Sequence, residues 1–255
     1  MTTDHSLDAR TILITGARRG LGRALLEEAL DRGAARVYAG VRTPFEHADP
    51  RVTPLLLDVA DPLSIEHAAA QVPVLDLLIN NAAMGGYDDL TDGRVLSEHL
   101  TANVLGPLTL TNALARALAA RGGAVVNVGS LAALANLPVM PSYSISKAAL
   151  FSLSQAQRAL FARRGVRVHA VLSGPIDTDM TRDLAIPKTA PAQVAASIFD
   201  GVLRDAEEIF PDGFSARFED GWNEGALKAF ERANAALLPQ ADDPLTLDLA
   251  RAADA

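Results

Sequence analysis

Six short runs rich in Val, Ile and Leu, separated by segments of helical spacing, constrain this chain more than any other feature. They are TILIT (11–15), RVYAGV (36–41), VTPLLLD (52–58), VLDLLIN (74–80), AVVNVG (124–129) and VRVHAVL (166–172), with a weaker seventh, EEIF (207–210). Between them, Leu21, Leu25 and Ala29, then Leu105, Leu108 and Ala113, then Ala149, Leu153 and Leu160 recur at helical intervals. Strands apolar on both faces need cover on both faces, and crossover helices supply it only around a parallel sheet. The expectation is an α/β fold: a single doubly wound domain with a mostly parallel sheet of about seven strands.

With 255 residues, 49% of them hydrophobic, one large core is affordable, and no repeat or low-complexity linker divides the chain. The expected organisation is an N-terminal tail (1–10), a catalytic domain (11–238) and a polar C-terminal tail (239–255). Within the domain, TDMTRDLAIPKTAP (178–191) has few regular apolar positions and two prolines, which reads either as a substrate loop or as ordinary surface. The absence of cysteine excludes disulfides, thiol nucleophiles and cysteine-ligated zinc, and it fits a reducing compartment. A net charge of −8 repels a phosphate backbone, so no nucleic-acid partner is expected. Residues 1–10 lack the basic start and apolar run of a signal peptide, and no long apolar stretch follows. A soluble, cytoplasmic protein with no membrane partner is expected.

Directly after the first apolar run stands Thr15-Gly16-Ala17-Arg18-Arg19-Gly20-Leu21-Gly22, and helical spacing begins at Leu21. A strand, a glycine turn and a helix in that order let backbone N–H groups and the positive end of a helix dipole meet a pyrophosphate. The spacing is neither G-x-G-x-x-G nor a Walker loop. At the end of the second strand an acid would pair with a ribose 2′-hydroxyl, whereas an arginine suits a 2′-phosphate. Arg42 stands there, with Arg18 and Arg19 in the turn, so NADP(H) is expected over NAD(H); the other reading is three solvated surface arginines. Asp58, ending the third strand, reads either as a partner for an adenine amino group or as a turn aspartate.

Only three lysines and three tyrosines occur (Lys147, Lys188, Lys228; Tyr38, Tyr87, Tyr143). Chance supplies roughly 0.04 Tyr–Lys pairs at the i,i+4 separation that shares a helical face, yet Tyr143-Ser144-Ile145-Ser146-Lys147 is one. A phenol titrates near 10, so acid–base work near neutrality calls for a stabilised anion, and the expectation is that Lys147 lowers the Tyr143 pKa. Ser130, at the end of the fifth strand, reads as a hydrogen-bond donor to a substrate carbonyl or as a helix cap. It sits in Val128-Gly129-Ser130-Leu131-Ala132, not in the G-x-S-x-G of a serine hydrolase. His5, His47, His67, His99 and His169 form no ligand spacing, and no metal is expected.

Over residues 11 to about 212 these motifs, in this order, resemble the short-chain dehydrogenases/reductases of the non-extended type, of about this chain's length. The resemblance implies a Rossmann-like fold and a catalytic set of Asn103, Ser130, Tyr143 and Lys147. It implies a cofactor set of Thr15, Gly16, Arg18, Arg19, Gly20, Leu21, Gly22, Arg42, Asp58, Val59, Asn81, Ala82, Tyr143, Lys147, Gly174, Pro175, Ile176 and Thr178. Asn103 would support a proton-relay water, Lys147 would hold the nicotinamide ribose, and the 174–178 segment would meet the nicotinamide. EEIFPD (207–212) looks like the family's last strand. Two positions depart from the pattern: Ala83 ends an Asn-Asn-Ala-Gly-like segment, and Ser173 stands where proline usually precedes Gly174.

The activity so implied is hydride transfer between NADP(H) and a small-molecule carbonyl/alcohol pair, with Tyr143 as general acid/base. An NADPH-sensing regulator of the same fold, with weak or no catalysis, is the alternative. The resemblance further implies a homodimer or homotetramer through the helices containing Leu105–Leu118 and Tyr143–Leu160, although those apolar faces would also serve to cover the sheet of a monomer. The pocket is expected between Met84–Asp88, Leu131–Pro141 and the 178–191 loop.

Overall fold

The computed structural model describes residues 6–235. The chain falls into two compact units, one ending at Arg217 and the other beginning at Phe218. The expected domain 11–238 spans both, and the tail 239–255 lies outside the described residues.

In the first unit seven strands form one sheet: β1 (Thr11–Thr15), β2 (Arg36–Val41), β3 (Val52–Leu56), β4 (Leu77–Asn80), β5 (Ala124–Val128), β6 (Arg167–Val171) and β7 (Glu208–Ile209). Their order is β3-β2-β1-β4-β5-β6-β7, and every neighbouring pair is parallel. Alternate side chains of a strand leave on opposite faces, and β1 shows the result. Ile12 and Ile14 pack with Leu25 and Leu26 of helix α1 (Gly20–Asp31) and with Val194, Ile198 and Phe199 of α6 (Pro191–Leu203). Leu13 packs the other way, with Leu78, Val125, Ile65 of α2 (Pro62–Ala70), Leu110, Leu114 and Leu118 of α4 (Gly106–Ala119), and Phe161 of α5 (Pro141–Ala162). Helix α3 (Gly93–Leu100) runs into α4 through a π-helical turn at Thr101–Leu105. The second unit contributes α7 (Glu219–Asn223) and α8 (Ala226–Asn234). Among the described residues no helix is long and apolar enough to cross a membrane.

Three expectations shift in detail. The strand expected over 74–80 begins at Leu77, because Val74 is exposed and Asp76 instead uses its side chain to accept from Thr11 N. Within the expected N-terminal tail, Leu7 is buried in the core and Asp8 bridges Ala34. The third shift concerns α4 and α5. The apolar residues read at helical spacing there are not the ones that cover the sheet: Leu105 is 51% exposed, Leu160 36%, and Ala113 also faces outward. The buried face of α5 instead carries Ser146, Lys147, Leu150, Ser154, Gln157 and Phe161. Its polar members are satisfied from the sheet. Asn127 donates to Ser154 Oγ at 2.9 Å and to Gln157 Oε1 at 3.0 Å, and Asn80 donates to Asn127 Oδ1 at 2.8 Å and to Thr111 Oγ1 at 3.2 Å. A buried polar network inverts the usual reading of an amphipathic helix.

Candidate active site

Because all strands are parallel, the loops following β1, β4, β5 and β6 emerge at one edge of the sheet, and the strand order reverses between β1 and β4. Ligands of such sheets bind in the crevice at that reversal. The glycine turn stands there. Gly20 has φ +54°, a left-handed backbone that only glycine adopts cheaply, and a Cβ on Gly22 would lie 2.1 Å from the carbonyl oxygen of Gly16. Helix α1 starts with neither a side-chain cap nor an acid in its first turn, which leaves its N-terminal N–H groups unmatched by side chains. That is the donor set an anion requires. Thr15 lies beneath the turn: its Oγ1 accepts from Asn81 N at 3.0 Å and Ala82 N at 2.9 Å, while Asn81 Nδ2 donates to Thr15 O. These two residues therefore lock the turn to the end of β4.

The three arginines separate. Arg18 and Arg42 are exposed, and neither forms an ion pair among the described residues. Arg19 instead pairs with Asp179 of the 178–191 loop at 2.9 Å, and Asp179 also holds Arg182. Asp58 takes the turn role, its Oδ1 accepting from Ala60 N at 3.0 Å, which leaves Oδ2 for another partner. Next to it, Val59 packs against Gly106, where a Cβ would lie 2.5 Å from the Val59 carbonyl oxygen.

At the other end of the crevice Ser130, Tyr143 and Lys147 come together. Ser130 takes the cap role, its Oγ accepting from Ala132 N at 3.1 Å, and its hydroxyl also acts on the Tyr143 phenol, favouring the phenolate. Lys147, only 3% exposed, places Nζ 5.6 Å from the Tyr143 ring centroid and donates to the carbonyl oxygen of Val128 at 2.8 Å. The expected fall in the Tyr143 pKa is not found. Burial raises the phenol above its ordinary value of 10, and the Ser130 hydroxyl pulls it down by less. Burial acts on Lys147 as well, lowering its pKa to about 8.

Asn103 sits in the π-helical turn, a distortion frequent at functional sites. Its Oδ1 accepts from Met84 N at 2.7 Å, and its Nδ2 donates to Met84 O and to Ser146 Oγ, each at 2.9 Å. Both amide hydrogens are thus used to hold the segment after β4 against α5, so the side chain positions its neighbours.

Gly174 to Thr178 leave β6 at the same edge. Asp177 N donates to Thr189 O and Thr189 N to Pro175 O, each at 2.9 Å, with Ile176 bridging Thr189, so the 178–191 loop is closed at its base. Thr178 opens a short 3-10 turn (Asp179–Thr181) and lies 3.2 Å from where a Gly20 Cβ would stand. Met180 lies against Gly85 in the same manner. Ser173 is buried: its Oγ donates to Gly129 O at 3.3 Å, and its carbonyl accepts from Leu131 N at 2.9 Å, bracketing Ser130. Ala83 has no left-handed backbone and carries no strain.

One contributor escapes sequence reasoning, and one residue of the expected pocket holds a contact that the sequence does not show. Asp212, buried after β7, accepts from Gly174 N at 2.7 Å and so anchors the 174–178 segment. Asp88 accepts from Ser142 N at 3.3 Å, at the start of the helix that carries Tyr143. Neither belongs to a local motif, since each acts on a backbone N–H far away in sequence.

The family described as short chain dehydrogenase matches residues 10–188. A sorbitol dehydrogenase from Cereibacter sphaeroides is 34% identical over 184 residues, covering 67% of this chain and 72% of the relative. A short chain dehydrogenase from Burkholderia cenocepacia, solved in complex with NADP, superposes with a TM-score of 0.80 at 35% identity, over 91% of this chain and 99% of the other. An NADPH-bound carbonyl reductase from chicken fatty liver gives 0.74 at 26% identity, over 82% and 94%.

Proposed function

The chain belongs to the short-chain dehydrogenase family, and from that premise we propose that it is an NADP(H)-dependent carbonyl reductase or alcohol dehydrogenase whose proton donor is Tyr143. The observation that carries this reading is the buried Lys147 ammonium 5.6 Å from the centre of the Tyr143 ring and hydrogen-bonded to Val128 O at the end of the strand that leads into Ser130.

The residues fit a dinucleotide phosphate. The uncapped start of α1, the cradle at Gly16, Gly20 and Gly22 that a Cβ would fill, and the exposed Arg18 and Arg42, unpaired among the described residues, contribute positive potential in an acidic chain. Preference for NADP(H) over NAD(H) rests on Arg42, supported by the NADP and NADPH bound in the two solved relatives. When bound, the cofactor supplies the hydride. The chain's own groups handle the proton and the orientation. Ser130 donates to the substrate carbonyl oxygen and fixes the face presented. Tyr143, neutral because burial raises its pKa, donates its proton to that oxygen as charge develops. The Lys147 ammonium stands within 5.6 Å of the phenol ring and offers charge to the phenolate left behind. Asn103 keeps Met84 and Ser146 in place beside them.

The 178–191 segment serves as the substrate loop, and the outward apolar residues of α4 and α5 support a homodimer or homotetramer. A cytoplasmic location goes with the cysteine-free composition. The test is to follow NADPH and NADH absorbance against a panel of ketones, aldehydes and quinones. Turnover with NADPH favoured supports the proposal. Tight NADPH binding with no oxidation across the panel would instead make the protein an NADPH-responsive regulator.

A further inference from the structure

Tyr143 is the third residue of α5, in a turn whose leading N–H groups have no partner within the helix. Helix α5 supplies none from its own start: Met140 makes no side-chain cap, and no acid stands in the first turn. The partner comes instead from the loop after β4. Asp88 Oδ2 accepts from Ser142 N at 3.3 Å, immediately before Tyr143, and so places a carboxylate at the positive end of the helix. Ser142 is fully buried, and its hydroxyl meets no partner among the described residues, so its hydrogen bond to that loop is the one through Asp88.

The loop is shaped around this contact. Asp88 Oδ1 accepts from Leu90 N at 3.2 Å, closing a turn in which Leu90 holds φ +62°, a left-handed backbone that a bulky apolar residue rarely adopts. Backbone strain of this kind collects at functional sites. At the loop's other end Met84 is held by Asn103, whose Nδ2 also donates to Ser146 Oγ at 2.9 Å. The loop is therefore tied to α5 on either side of Tyr143, to Ser142 by Asp88 and to Ser146 through Asn103.

Resting on the reductase reading above, we infer that Asp88 is a positioning residue for proton transfer: by capping α5 from a distant loop it fixes the turn that carries the Tyr143 phenol. A small displacement of a general acid costs rate, while the glycine turn that would meet the cofactor phosphates is untouched. The experiment compares the parent with Asp88→Ala, Asp88→Ala/Leu90→Gly and Asp88→Asn/Leu90→Gly. Glycine adopts the Leu90 backbone without help, and of the two double variants only the asparagine one leaves an acceptor for Ser142 N. Each protein is read for NADPH-dependent turnover of one ketone that the parent reduces, for NADPH affinity and for amide hydrogen exchange of residues 141–147. In both alanine proteins kcat should fall at least about tenfold, with ketone KM and NADPH affinity held within about threefold. The asparagine protein should recover to within about threefold of the parent. Exchange in the turn should quicken about tenfold in the alanine proteins and recover in the asparagine one. Parental kcat in Asp88→Ala, even with faster exchange, overturns the inference and leaves the reductase reading standing. Recovery by Leu90→Gly without the acceptor, or no recovery with it, does the same. If the parent reduces no ketone, the reductase reading fails and this inference falls with it.

Discussion

Lys147 shows how burial sets chemistry residue by residue. Its ammonium is desolvated and has the Val128 carbonyl oxygen as its hydrogen-bond partner, so its pKa falls to about 8. Tyr143, desolvated too, moves the other way and stays neutral through the same range. The sign of the pH dependence follows. Below about 8 the site holds a protonated lysine and a neutral phenol, the forms that reduction uses; above it the ammonium is lost first. In the reductive direction kcat/KM for NADPH, which reports the free enzyme, should be flat near neutrality and fall about tenfold per pH unit above about 8. Lys147→Arg, which stays charged, should show no such fall in whatever activity it keeps. A wild-type profile flat to pH 10 would contradict this assignment.

The elements differ in how far sequence alone reveals them. Strands β1, β2 and β5 read cleanly because they are buried on both faces, and the glycine turn is recognisable because its constraint is local. Gly22 cannot carry a Cβ without meeting the Gly16 carbonyl 2.1 Å away. Gly22→Ala must therefore open the turn, and it should cost roughly 1–3 kcal/mol in stability and weaken NADPH binding at least tenfold, read by urea unfolding and by fluorescence titration. Unchanged affinity would show that the turn does not hold the phosphates. The Tyr–Lys pair is equally legible because four residues span one helical turn. Helices α4 and α5 are not, because Asn80 and Asn127 on the sheet satisfy Thr111, Ser154 and Gln157, and the apolar pattern marks the wrong face. Asp212 and the ion-pair partner of Arg19 are hidden for a related reason: each contact reaches a distant loop, Asp212 to Gly174 and Arg19 to Asp179.

At the scale of the whole molecule, the outward apolar face of α4 and α5 and the two ends of the crevice set the remaining expectations. Leu105, the last residue of the π-helical turn before α4, and Leu160 of α5 are exposed because α4 and α5 cover the sheet with other residues. A Leu105→Asp/Leu160→Asp protein should sediment as a monomer where the parent sediments as a dimer or tetramer, and an unaltered mass would place the interface elsewhere. The central claim joins the glycine turn and the Ser130–Tyr143–Lys147 group into one reaction site, where binding and proton transfer are separable. Tyr143→Phe removes only the phenolic hydroxyl, at the far end of the crevice from α1. The decisive measurement is NADPH affinity and NADPH-dependent turnover of one reduced ketone, made side by side on the parent and on Tyr143→Phe. Affinity held within about twofold with kcat/KM reduced at least about 100-fold is the result expected of a general acid; full turnover by Tyr143→Phe would contradict it.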